Sequence, residues 1–133
     1  MENGNNGNVG TNVLRNPEVS SSLPLAHHEN IAYWEFKVLD STIELNDLLE
    51  IPKEYHYIFV DQSQNEIILA DNDSKQTYVC DIIFTQQTNL KIVIGRGWLD
   101  YVRDVNLKAG DTLVFLLYEN HPEKLHVYIV DRV

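Results

Sequence analysis

The sequence predicts a mainly β domain, an antiparallel barrel or sandwich, behind a disordered amino-terminal tail. Short apolar runs recur between polar turns: Tyr57 to Val60, Glu66 to Leu69, Thr77 to Phe84, Lys91 to Ile94, Thr112 to Tyr118 and Lys124 to Val130. No long helical period separates them, as the crossover helices of a parallel sheet would require. The chain has 133 residues, 44% of them hydrophobic, enough for one globular domain and not for two.

Taken in order, residues 1–30 are rich in Asn, Gly and Ser, and their apolar residues show no sustained period. Such a segment cannot bury enough surface to offset its chain entropy, so the folded domain is expected over 31–133. Trp34, Phe36 and Val38 then alternate with Glu35, Lys37 and Leu39, the two-residue period of a first strand. Ser41 to Leu49 reads as a short helix or turn, with Ser41 or Thr42 available as a cap. Pro52 restricts Ile51 to extended geometry and opens a one-turn helix. After the central strands, Trp98, Tyr101 and Val102 stand at i, i+3 and i+4, which points one face of a short helix inward. Leu107-Lys108-Ala109-Gly110-Asp111 reads as a tight turn feeding the strand Leu113 to Leu117.

Twenty Asp and Glu against ten Lys and Arg give a formal charge of -10. That excess argues against any partner held by a bulk positive field and leaves room only for a local basic patch. The lone Cys80 cannot form an internal disulfide, and alternation groups it with Tyr78, Ile82 and Phe84, a setting that raises a thiol pKa. It is expected to pack, not to react. His27, His28, His56, His121 and His126 show no metal-ligand spacing. Asp71-Asn72-Asp73 opens like a calcium loop, but Gln76 and Ile82 replace its glycine and bidentate Glu. Gly95-Arg96-Gly97 has Asp100 where a phosphate-cradling loop needs a third glycine. No nucleophile, base and oxyanion donor can be assembled, so we expect no enzyme, cofactor, metal or small-molecule substrate. The longest apolar run, Leu113 to Tyr118, is too short to cross a bilayer, and the amino terminus lacks a signal-peptide layout, so no membrane partner is expected.

Five stretches succeed one another in a telling order: Trp34-Glu35-Phe36-Lys37-Val38-Leu39, Ile51-Pro52-Lys53, Ile67-Ile68-Leu69, Gly97-Trp98-Leu99-Asp100-Tyr101-Val102, and Leu107-Lys108-Ala109-Gly110-Asp111-Thr112-Leu113-Val114-Phe115. This order resembles the plant B3 DNA-binding domain over nearly all of Ile31 to Val133. The resemblance implies a seven-stranded open pseudobarrel with two short helices that grasps the DNA major groove between an amino-side and a carboxy-side arm. It also implies sequence-specific regulation of transcription in the nucleus. That groove displays a distinct donor and acceptor pattern for each base pair, so two polar loops on a rigid barrel can read sequence directly.

On that resemblance, the expected DNA contacts are Ser41, Thr42 and Asn46 on the amino-side arm, and Gln86, Asn89, Lys91 and Arg96 on the carboxy side, with Gln87 and Thr88 in the same polar loop. The two arms differ in charge. From Lys37 to Glu54, two cations face five carboxylates, a local charge of -3, whereas Phe84 to Arg103 carries +2. Tyr78 and Asp81 fall where many family members carry Trp and Arg. An alternative therefore stands beside DNA reading: a B3-like barrel that has lost DNA and serves as a protein-interaction module, by dimerising or by engaging basic partners through its acidic surface.

Overall fold

Alternation decides which side of each strand is buried, and the computed structural model, which describes residues 30–60, 63–86 and 88–133, follows it closely. Residues 1–29 of the expected tail, and Gln87, lie outside the described residues. Seven strands form one curled sheet: β1 (Ile31–Lys37), β2 (Leu49–Glu50), β3 (Glu66–Asp71), β4 (Thr77–Gln86), β5 (Leu90–Ile94), β6 (Thr112–Tyr118) and β7 (Lys124–Asp131). Their spatial order is β1-β6-β7-β3-β4-β5-β2. The pairings are antiparallel except for β3 with β7, which run parallel. β4 turns the corner, pairing with β3 over Thr77 to Asp81 and with β5 over Ile82 to Gln86.

The short helices are α1 (Asp40–Glu44), α2 (Tyr57–Val60) and α3 (Arg96–Asp104), with a 3-10 turn at Lys53–Tyr55 after Pro52. Trp98, Tyr101, Phe59 and Phe115, each no more than 1% exposed, fill the interior with aliphatic side chains from the inward strand faces. The rings of Trp98 and Phe115 lie 6.1 Å apart, and Phe36 meets Trp98 edge-on at 5.9 Å. Gly97 allows α3 this close approach: a Cβ there would stand 2.4 Å from the Val79 carbonyl oxygen. Gly110 holds φ +97, the left-handed conformation that the Leu107-to-Asp111 turn needs.

Three expectations are corrected. Tyr57 to Val60 is a helical turn, not a strand. The neighbours Ile58 and Phe59 are both buried, and a strand would point them to opposite faces. The helix expected between Ser41 and Leu49 ends at Glu44, and Leu49 belongs to β2. Asn46, at φ 53, turns the chain out of helical geometry between them. Phe84, grouped by alternation with Cys80, is 42% exposed because it lies beyond the core near the β4–β5 turn.

Candidate nucleic-acid interface

Strand β5 separates the two expected arms. Its five residues rise about 3.3 Å each, so Leu90 and Ile94 lie about 13 Å apart. At the Leu90 end, the β4–β5 turn forms a concavity of about 300 Å³ lined by Thr85, Thr88, Asn89 and Lys91. Thr85 pairs directly with Lys91 and Gln86 with Leu90 across the hairpin. Lys91 is exposed and makes no ion pair among the described residues. Two hydroxyls, an amide and an uncompensated ammonium thus converge on one site, a set that donates to phosphate oxygens and to acceptors on base edges.

At the Ile94 end, the chain passes from β5 through Gly95 into α3, and the amino-side arm returns beside it into β2. The indole N–H of Trp98 donates to the Asp47 carbonyl at 3.1 Å, which ties that arm to α3. Arg96, exposed at the start of α3, belongs to this end. The structure therefore places Lys91 and Arg96 at opposite ends of β5, although they are close in sequence. Arg103 engages Asp100 at 2.6 Å. Those two charges cancel within the +2 counted on the carboxy side, which is left to Lys91 and Arg96, and Arg96, four residues before Asp100, has no ion pair among the described residues.

The amino-side residues have divided tasks. Thr42 is 3% exposed and its hydroxyl accepts the Leu39 N–H at 3.2 Å, so it shapes the arm and presents nothing outward. Its sequence neighbour Ser41 is half-buried, and its hydroxyl has no hydrogen bond among the described residues. Asn46 is exposed and lines a shallow groove of about 390 Å³ with Ile43, Leu99, Val102, Arg103 and Asn106. Thr85 escaped sequence reasoning. Alternation marks it as outward-facing, but its partnership with Lys91 depends on a register that no local pattern reveals.

Carboxylates lie close by. Asp81 is exposed on β4 and directly faces Glu66 on β3. Tyr78 is pushed up to about 12, by burial first and then by the hydrogen bond its hydroxyl makes to Asp104 at 3.0 Å. Among the described residues no group of His, Cys, Asp and Glu could hold a metal ion.

The model of the B3 DNA binding domain family matches residues 36–133. The chain belongs to that family. A B3 domain-containing protein of Oryza sativa subsp. japonica is 29% identical over 83 residues, which are 62% of this chain and 16% of the rice protein. This B3 domain therefore matches only a small part of that relative's length. Its fold is similar to a hypothetical Arabidopsis thaliana protein, at a TM-score of 0.59 and 18% identity over 77% of this chain and 93% of the other. It is also similar to the protein of the Arabidopsis FUS3–DNA complex, at 0.56 and 12% identity over 75% of this chain and 97% of the other. At such identities the likeness is one of fold. The seven-stranded open barrel expected for a B3 domain is present, with more helical turns than the two expected.

Proposed function

We propose that this B3 domain is a sequence-reading regulator of transcription that acts in the nucleus and holds double-stranded DNA in the major groove by two arms. The observation that carries the reading is the concave site at the β4–β5 turn, where the unpaired Lys91 stands among Thr85, Thr88 and Asn89. An Asn amide matches the paired donor and acceptor of adenine, and an ammonium suits guanine or a phosphate. Ser41 and Asn46 act from the amino-side arm, Thr42 sets its shape, Gln86 and Asn89 read from the carboxy side, and Arg96 supplies a second phosphate contact. The spacing of about 13 Å along β5 is comparable with a major groove about 12 Å wide. Family membership supports the choice of partner.

Selection from a random DNA pool at low and moderate salt tests the proposal. One enriched sequence is expected, lost in Lys91→Glu. Absence of enrichment at low ionic strength overturns it. The second reading, a protein-interaction module, is favoured by the opposed Glu66 and Asp81, which suit a basic partner. It predicts a partner-bound species in sedimentation, with no selected DNA.

A further inference from the structure

Alternation along β4 turns Val79, Asp81, Ile83 and Thr85 outward in one row, while Cys80 and Ile82 face the core. Thr85 lies in the concavity with Lys91, so the row runs from that site back across the face between the two arms. Asp81 stands within it, about 13 Å from Thr85. Glu66 lies directly across on β3, and neither carboxylate forms an ion pair among the described residues.

The surroundings of Asp81 leave it open to close approach. Val79 and Ile83, on either side of it, are 60% and 37% exposed, an aliphatic frame that excludes water once covered. The Gly95 N–H donates to the Asp81 carbonyl at 2.8 Å, and a Cβ on Gly95 would stand 3.5 Å from the Asp81 Cβ and 3.4 Å from the Ile83 side chain. Glycine keeps that flank clear.

We propose that Asp81 is a specificity-determining residue that selects cytosine in the major groove. The inference rests on the DNA reading proposed above. In that groove cytosine offers its N4 amino donor, whereas guanine shows two acceptors, thymine shows O4, and adenine sets N7 beside its N6 donor. An ionised carboxylate only accepts. Asp81 therefore accepts from cytosine N4 and is repelled by the acceptor edges of the other three bases, with Glu66 adding the same sign. Val79 and Ile83 exclude water as the groove closes over them, so a wrong base leaves Asp81 desolvated without a donor. Lys91 and Arg96 hold phosphates at the two ends of β5, and Asp81 meets base edges between them.

The test is selection from a random DNA pool with the full chain. Affinities are then measured for the selected site and for the same site with one C·G pair changed to T·A, which replaces the N4 donor by the O4 acceptor. The wild-type chain should select cytosine at one position and lose roughly tenfold when it becomes thymine. Asp81→Ala should bind both sites alike. Asp81→Asn should turn the preference at that position to adenine, whose N6 and N7 match an amide. The inference is overturned if the wild-type site contains no such cytosine, or if folded Asp81→Ala keeps the full preference for cytosine over thymine at every position. Failure of the wild-type chain to enrich any sequence at low salt overturns the DNA reading itself, and this inference with it.

Discussion

The Trp98 indole donates its N–H to the Asp47 carbonyl at 3.1 Å, so the largest core side chain also anchors the amino-side arm. In sequence the Gly-Trp pair reports packing alone. In the folded chain the same ring meets Tyr101, Phe115 and Phe36 and sets where the arm re-enters the sheet.

Trp98→Phe should therefore do two things. Loss of ring volume and of the hydrogen bond should lower unfolding free energy by about 1–3 kcal/mol in urea titrations. Amide exchange should quicken at residues 45–49 more than in β6 or β7.

The glycines flanking Arg96 should respond unequally to alanine. At Gly97 a Cβ meets the Val79 carbonyl oxygen at 2.4 Å and the Cys80 sulfur at 2.7 Å, whereas at Gly95 the nearest atom is a side-chain carbon at 3.4 Å. Gly97→Ala should cost about 1–3 kcal/mol or more, because strand backbone cannot yield as a side-chain tip can. Gly95→Ala should cost less, both variants being read by thermal melts.

Asp111 should make the domain acid-sensitive. Burial pushes its carboxyl up, but the Lys108 and Val133 N–H groups, both at 2.9 Å, together with the Arg132 and Lys108 charges, outweigh that and hold the pKa below 3.8. The native state then binds fewer protons than the unfolded chain, so stability rises with pH in this range. The contribution is complete above 3.8 and is lost as pH falls through the folded value. Asp111→Asn should flatten that acid slope and cost about 1–3 kcal/mol at neutral pH, read by denaturant titration.

Cys80 should be silent to thiol reagents. It is 0% exposed, and burial, with Asp81 and Asp100 adding to it, pushes the thiol up to about 11. Labelling at pH 8 should proceed only as fast as the protein opens, and denaturant should release the single thiol at once.

For DNA, Lys91→Ala and Arg96→Ala should each reduce the salt slope of binding by about one unit. Because the two cations stand at opposite ends of β5, their effects should add. Thr42→Val should leave the slope unchanged and act through stability, as its hydroxyl is engaged with the Leu39 N–H.

Most of the fold was legible because the alternation of β1 and β4 and the short apolar runs of β3 and β6 are local, and so is the i, i+3, i+4 set of Trp98, Tyr101 and Val102. Tyr57 to Val60 misled because four apolar residues suit a strand or a helical turn equally well, and packing of both Ile58 and Phe59 decides for the turn. The site was legible only in part. Asn89 and Lys91 are close in sequence and also converge in space, whereas Arg96, five residues beyond Lys91, sits past the far end of β5.

Composition and pattern alone determined that the described residues build a β-rich fold, with Cys80 packed inside and a glycine at the Leu107-to-Asp111 turn, since each depends on neighbours within a few residues. Tertiary structure alone decided that Thr42 turns inward, that Asp100 neutralises Arg103, and that Glu66 meets Asp81. The reason is register and packing. Which charges and hydroxyls face one another is set by how strands and helices dock, and no local period encodes that alignment.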